Sequence, residues 1–152
     1  LIPQAGSDLG ARLAGVSERL FAAHFLAAVI IGTDSPTLPD DYLREAIEVL
    51  GRNFSDVVLG PAEDGGYYLI GLRGTAPSLF QGITWSTDAV LRETLDRIST
   101  AGLRSHLLPP WFDVDTEPGL RRLARDLAWD RTSARHTREC LRVLPPSAGA
   151  SG

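Results

Sequence analysis

The feature that most constrains this chain is a continuously apolar run at residues 27–31, which stops at a turn-forming segment at residues 32–36, Gly-Thr-Asp-Ser-Pro. Five apolar residues without polar alternation are typical of a strand that is covered on both faces. The run therefore predicts a central parallel strand, and it places Asp34 directly after the carboxyl end of that strand.

Helical patterns alternate with the strand candidates along the chain. Four stretches space their apolar residues three or four positions apart, as on one face of a helix. They are Leu9, Leu13, Val16 and Leu20; Leu43, Ile47 and Leu50; Val90, Leu91, Leu95 and Ile98; and Leu120, Leu123 and Leu127. Residues 133–143 predict a last helix, residues 57–59 and 67–70 predict two more strands, and residues 103–108 predict a short extended segment. This alternation predicts an α/β domain with a mostly parallel sheet flanked by helices.

Boundary residues support the predicted helices. Asp8 and Ser86 are placed to cap the first and third helices, since their side-chain oxygens can accept from free backbone N–H groups. Gly51 and Gly102 stand where the second and third helices would end, because glycine readily takes the conformation that terminates a helix.

Composition limits the function classes. The 152 residues, 43% of them hydrophobic, suit one domain, which we assign to residues 1–144, and the small polar residues at 145–152 predict a flexible tail. A net charge of -4 excludes the broad basic surface of a nucleic-acid-binding protein. No apolar run is long enough to span a membrane, and the single Cys140 cannot form an internal disulfide. We therefore expect a cytoplasmic protein.

Aspartates provide the candidate chemistry. Asp34 would lie at the edge of the sheet, where it could help to hold a divalent cation, although Asp34 or Ser35 could instead simply cap the turn before Pro36. Asp113 and Asp115 flank Val114 in an extended segment, so alternation would send both carboxylates to one side. Such a converging pair favours a bound cation or a raised pKa, whereas a diverging pair would merely begin the next helix.

Two loops could contact a substrate. In the segment Glu63-Asp64-Gly65-Gly66, the glycines would let a ligand approach the backbone, with Asp64 as a base, but the same residues are also typical of a hairpin turn. In Trp85-Ser86-Thr87, the indole could form one wall of an acceptor pocket or could lie in the core.

Five ordered segments together resemble one family. They are Q-x-G-x-D-L-G-x-R at residues 4–12, I-I-G-T-D-S-P at 30–36, G-P-A-E-D-G-G-Y-Y-L-I-G-L at 60–72, W-S-T at 85–87 and D-V-D-T at 113–116. This set resembles the GT-A-like radical-SAM/selenodomain-associated transferases, also described as arsenosugar-biosynthesis-type glycosyltransferases. That family is related to nucleotide-diphospho-sugar transferases and to small nucleotidyltransferases.

The resemblance implies a GT-A-like (Rossmann-like) fold and a function. It implies transfer from a nucleotide-sugar or nucleotide donor to a small acceptor, with Asp34 and Asp64 as catalytic residues. A divalent metal, Mg²⁺ or Mn²⁺, would be held by Asp34, Asp113 and Asp115. The residues expected to bind substrate are Arg12, Gly65, Gly66, Tyr67, Trp85, Ser86 and Thr87.

The family's usual first strand and basic phosphate loop, resembling Lys-Thr-Arg-Leu, do not precede Gln4, so we expect the domain to be truncated at its N-terminus. Three hypotheses follow from the residues and the resemblance. The first is glycosyl transfer from a nucleotide-diphospho-sugar. The second is nucleotidyl transfer to a phosphorylated acceptor. The third is a non-catalytic module without the donor-phosphate loop, which could self-associate through an exposed sheet edge to form a homo-oligomer.

Overall fold

The computed structural model describes residues 3–129 and 134–143 of the chain. The elements follow one another as α1 (Leu9–Ala22), β1 (Ala28–Ile31), α2 (Asp40–Gly51), β2 (Val57–Pro61), β3 (Tyr67–Leu72), a 3₁₀ turn (Pro77–Phe80), α3 (Val90–Thr100), β4 (Ser105–Leu107), α4 (Glu117–Trp129) and α5 (Arg135–Val143). The predicted α/β class is confirmed. The predicted tail at residues 145–152 and the predicted helix start at Ser133 lie outside the described residues.

The sheet is mixed, so the prediction of a mostly parallel sheet is wrong for the described strands. Its order is β1-β3-β2-β4. β3 runs antiparallel to both β1 and β2, while β2 and β4 are parallel. The physical reason is the short loop between β2 and β3, because a parallel connection needs a crossover of a dozen or more residues. β1, β2 and β4 nevertheless share one direction, so their carboxyl ends meet at one edge of the sheet.

β1 is a strand, as predicted, but it is not central among the described strands. It pairs only with β3, and Ile31 at its end is 46% exposed. Only Ala28 of β1 is buried, so the strand is less covered than its apolar run predicts. An apolar run is consistent with a buried strand, but it does not indicate how many partner strands the segment has. The position of β1 depends instead on β3, which enters the sheet between β1 and β2.

The core lies on both faces of the sheet. Val57 and Leu59 of β2 pack with Leu13 of α1 and Ile98 of α3, whereas Val58 packs on the opposite face with Leu50 of α2. A third cluster joins Phe112 to Leu123 and Leu127 of α4. The two main clusters therefore hold the strands rigidly between helices, and the third fixes α4 beside the end of β4.

Two details of the predicted helices differ from the structure. Ile47 is 56% exposed, because α2 buries Ala46, Val49 and Leu50 instead. Ser86 does not cap α3, which starts four residues later, and Ser86 itself has a left-handed backbone with φ of 62°. The predicted cap of α1 is confirmed, since Asp8 accepts a hydrogen bond of 2.8 Å from the backbone N–H of Ala11.

None of the helices in the described ranges combines the length and the apolar character that crossing a membrane requires.

Candidate functional site

The loops that follow β1, β2 and β4, together with the loop before α3, enclose a cleft of about 480 Å³. We call it the aspartate cleft, because five aspartates and no basic residue line it among the residues that the structure describes. Its lining residues are Leu9, Asp34, Ser35, Ala62, Asp64, Gly66, Tyr67, Tyr68, Trp85, Ser86, Thr87, Asp88, Val90, Asp113 and Asp115. The structure thus brings together the four aspartates that the sequence indicated, although they are spread over about 80 positions of the chain.

Asp34 lies just beyond the end of β1. Its carboxylate folds back over Gly32, where a Cβ would lie 2.5 Å from Oδ1, so only a glycine leaves room for this orientation. Neither Asp34 nor Ser35 caps the turn in the described part of the chain, since α2 has no side-chain cap and the buried Ser35 hydroxyl has no hydrogen-bond partner. The alternative that these residues act only as caps is therefore not supported.

Asp64 occupies the tip of the β2–β3 hairpin, so the turn that the sequence suggested is confirmed. Its Oδ1 accepts a hydrogen bond of 2.8 Å from the backbone N–H of Gly66. Gly65 has φ of 92°, and a Cβ there would lie 2.4 Å from the carbonyl oxygen of Asp88. The carbonyl of Gly65 also accepts from the N–H of Leu91. The hairpin tip is therefore packed tightly against the loop before α3.

The segment after β4 brings in the acidic pair. Asp113 and Asp115 both line the aspartate cleft, while Val114 packs with the Phe112 cluster. The predicted alternation is therefore confirmed. Burial raises the pKa of Asp113, and the neighbouring charges of Asp64, Asp115 and Asp34 raise it further. The cleft consequently concentrates negative charge that no basic side chain of its lining offsets.

Backbone hydrogen bonds connect these three loops. The N–H of Val114 donates to the carbonyl of Asp34 at 2.9 Å, and the N–H of Glu63 donates to the carbonyl of Trp111 at 3.1 Å. The N–H of Trp111 in turn donates to the carbonyl of Pro61 at 3.0 Å. The acidic side chains are thus mounted on one connected backbone network, which fixes their relative positions.

Trp85 lies both at the core and at the wall of the cleft, while its role in an acceptor pocket stays a prediction. Its indole is partly buried against the core cluster of α1 and α3, and it also lines the aspartate cleft. Gly10 makes this packing possible, because a Cβ there would lie 2.8 Å from the indole Nε1. Glu93 of α3 holds the same loop by accepting from the N–H of Thr84 at 2.7 Å. A short loop at the wall of the cleft is therefore anchored both to α1 and to α3.

The other predicted substrate-binding residues divide into two groups. Gly66, Tyr67, Ser86 and Thr87 line the cleft, and burial raises the pKa of Tyr67. Arg12 and Gly65 do not line it. Arg12 is exposed, because α1 turns Gly10, Leu13 and Ser17 toward the protein.

Sequence reasoning missed Asp88 as a residue of the aspartate cleft. The position of Asp88 next to Trp85-Ser86-Thr87 was the available signal, because it extends a polar segment that precedes a helix.

The donor set of the cleft fits a loosely held divalent cation. Carboxylate oxygens are the ligands that Mg²⁺ and Mn²⁺ prefer, and such ions commonly use one or two protein carboxylates together with phosphate oxygens and water. Among the described residues, no group of three or more acidic, histidine or cysteine side chains is arranged to hold a metal by itself. The cleft therefore suits a cation completed by a substrate, not an all-protein metal cage.

A larger cleft of about 800 Å³ lies across the loop that follows Asp34, between the start of α2 and the end of α4. Asp126 and the two indoles of Trp111 and Trp129 help to line it. None of the predicted site residues does so, and the raised pKa of Asp113 is found in the smaller cleft. Chemistry, not volume, therefore identifies the aspartate cleft as the candidate site.

Comparisons with known proteins agree with the fold. Residues 1–87 match the model of a family described as uncharacterized protein conserved in bacteria, DUF2064. The chain is also similar to a crystal structure at 1.90 Å of a "putative nucleotide-diphospho-sugar transferase" from Desulfovibrio desulfuricans G20, with 35% sequence identity and a TM-score of 0.81. The similarity covers 90% of this chain and 61% of that one, and it confirms the expected GT-A-like fold. No curated protein matches.

Proposed function

Since this chain belongs to the DUF2064 family of bacterial proteins, we propose that it is a transferase that uses a nucleotide-activated donor. The reaction that we favour is glycosyl transfer from a nucleotide-diphospho-sugar to a small acceptor. The observation that carries the proposal is the aspartate cleft, where Asp34, Asp64 and Asp113 meet beside Trp85. The structural neighbour from Desulfovibrio, of which this chain spans about 61%, supports the same class of donor.

The charge of the cleft supports dependence on a divalent cation. Five aspartates line it without a basic residue, so an unaccompanied diphosphate would be repelled by about 4 kcal/mol for each pair of charges at about 4 Å and an effective dielectric of about 20. Asp34, together with Asp113 or Asp115, would hold the cation, and phosphate oxygens of the donor would complete its ligands. When bound, Mg²⁺ or Mn²⁺ would neutralise the donor diphosphate and stabilise the departing nucleoside diphosphate.

Asp64 is the residue that we assign to the acceptor. Its Oδ1 already accepts from the N–H of Gly66, which fixes the carboxylate and leaves Oδ2 to accept the proton of an attacking hydroxyl. Trp85 offers an apolar surface on which a sugar ring can stack, and Ser86 and Thr87 offer hydroxyls beside it. Asp34 would orient the reacting groups from the opposite loop.

Calorimetry with a panel of nucleotide sugars, each with and without Mn²⁺, tests the proposal. We expect binding only when Mn²⁺ is present, and turnover that releases a nucleoside diphosphate. The variant Asp113→Asn should lose binding, whereas Asp96→Asn, on the exposed surface of α3, should behave as the wild type. If no nucleotide sugar binds to a chain that is folded, the donor class is wrong. Release of pyrophosphate from a nucleoside triphosphate would favour nucleotidyl transfer instead.

Several finer expectations belong to the same proposal. We propose that the acceptor chemistry is that of the arsenosugar-type, radical-SAM-associated transferases and that the protein acts in the cytoplasm. We also propose that it self-associates, which is supported by the outer edge of β1, left without a partner among the described strands.

A further inference from the structure

Arg122 of α4 contacts the residues that immediately precede two of the cleft aspartates. Its Nη1 donates to both carboxylate oxygens of Glu63, at 2.9 and 2.7 Å, and its guanidinium carbon lies 4.0 Å from the centre of the Phe112 ring. Glu63 precedes Asp64, and Phe112 precedes Asp113. One side chain therefore links the hairpin tip to the segment after β4.

The base of this link is rigid. Phe112 is 3% exposed and packs with Leu123, the residue that follows Arg122, and with Leu127 one turn further on. Arg122 is thus anchored through its own helix. Glu63, in contrast, lies near the hairpin tip with its side chain 51% exposed, so the ion pair joins the side of the hairpin tip that faces α4 to a buried anchor.

The chemistry of the contact favours an arginine over a lysine. A planar guanidinium can stack on an aromatic ring while its N–H groups donate to a carboxylate, and a lysine ammonium cannot do both in the same way. An exposed ion pair of this kind contributes little to the stability of the whole fold. The contact is therefore better suited to setting the position of a loop than to holding the protein together.

We propose that Arg122 is a positioning residue that sets the spacing between Asp64 and Asp113 across the aspartate cleft. It does not line the cleft, so it acts through Glu63 and Phe112 and does not touch the substrate. The charge of Asp64 acts on Asp113 in the structure, which agrees with a close spacing. The inference rests on the proposed function, in which these two aspartates serve the acceptor and the metal.

The spacing matters because catalysis depends steeply on geometry. A displacement of about 1 Å at a reacting group can lower a rate by about a hundredfold. The backbone bonds of Glu63 and Val114 already connect the loops on the sheet side. Arg122 adds the connection on the α4 side, so its removal should loosen the hairpin tip without unfolding the sheet.

The test compares Arg122→Gln with Arg121→Gln by hydrogen exchange. Arg121 is the matched control, because it is the adjacent residue of α4 and pairs with Glu117 in its own helix, at 2.7 Å. We expect R122Q to speed exchange at residues 61–66 and 111–116 together, with a nearly unchanged thermal midpoint. R121Q should leave both segments as in the wild type.

Kinetics supply the second measurement. We expect R122Q to lower kcat by about tenfold or more, with a smaller change in the KM of the donor, because the reacting groups are displaced while the donor contacts stay. Arg122→Lys should recover part of kcat. The double variant E63Q/R122Q should be no slower than R122Q, because both substitutions remove the same link.

The outcomes separate the two proposals. If the wild type turns over and R122Q matches R121Q in kcat and in exchange, Arg122 has no positioning role. The same conclusion follows if R122Q only lowers the thermal midpoint and speeds exchange evenly along the chain. If the wild type itself turns over no nucleotide-activated donor, the proposed function fails, and the exchange data alone decide whether Arg122 holds the hairpin tip.

Discussion

Aspartates at the two ends of the parallel pair β2 and β4 have opposite electrostatic environments. At the end where both strands begin, Asp56 receives hydrogen bonds from the Nε and Nη2 of Arg104 and from its backbone N–H, at 2.9 to 3.0 Å. Arg104 lowers the pKa of Asp56 from 3.8 to about 2. At the end where both strands stop, Asp64 and Asp113 face other aspartates, and the pKa of Asp113 is raised.

On the function that we propose, this difference separates an acid with a structural role from acids that serve the reaction. Asp56 pairs with the guanidinium of Arg104, and this ion pair joins the start of β2 to the start of β4. Asp113, by contrast, has no basic partner in the lining of the aspartate cleft, and partial burial and neighbouring carboxylates raise its pKa. Groups that are left in an unfavourable electrostatic environment are typical of sites that a ligand completes.

Among the variants that test this difference between the two ends of the sheet, Gly65→Ala should have the largest effect on stability. Its positive φ of 92° and the 2.4 Å approach to the carbonyl of Asp88 leave no room for a Cβ, so we expect a loss of more than about 2 kcal/mol in the free energy of unfolding. Gly74 follows β3 at the opposite end and has open space around it. Gly74→Ala should be close to neutral in the same urea titration, and equal losses for both variants would contradict the tight packing of the hairpin tip.

The next effect is expected for Asp113→Asn, which should separate activity from stability. Transfer should fall by about a hundredfold or more, because the variant loses a carboxylate that we propose as a ligand of the cation that neutralises the donor diphosphate. The thermal midpoint, measured without divalent cations, should rise slightly at neutral pH. A raised pKa means that ionised Asp113 opposes folding, so the gain should vanish as the pH falls and the carboxyl becomes protonated.

That prediction would be contradicted if Asp113→Asn lowered the thermal midpoint at neutral pH and left it unchanged in acid. Asp113 would then stabilise the fold as Asp56 does, and the distinction between the two ends of the sheet would fail.

Most helices and strands and much of the candidate site could be predicted from the sequence, because local patterns determine both. Apolar spacing predicted α1 to α4, and alternation at Val114 correctly predicted that Asp113 and Asp115 face one side. Sheet order was not predictable in this way, because the insertion of β3 between β1 and β2 depends on contacts between segments that are far apart in the chain. The ion pair between Glu63 and Arg122, which are 59 positions apart, could not be predicted for the same reason.

The smallest effect concerns Asp56 and is confined to acid. Because Arg104 holds the folded-state pKa at about 2, below the ordinary 3.8, the ionised carboxylate stabilises the fold above about pH 4, and this stabilisation is lost as the pH falls toward about 2. Asp56→Asn should therefore lower the thermal midpoint by a few degrees at neutral pH, and its curve should converge with that of the wild type in acid. Asp41→Asn, at a carboxylate that is 95% exposed, serves as the control in circular dichroism melts across this range. If the difference in thermal midpoint between the wild type and Asp56→Asn stays constant down to about pH 2, the hydrogen bonds of Asp56 do not depend on its charge. Asp56 and Asp113 would then differ in their hydrogen-bond geometry and not in the effect of their charge on stability.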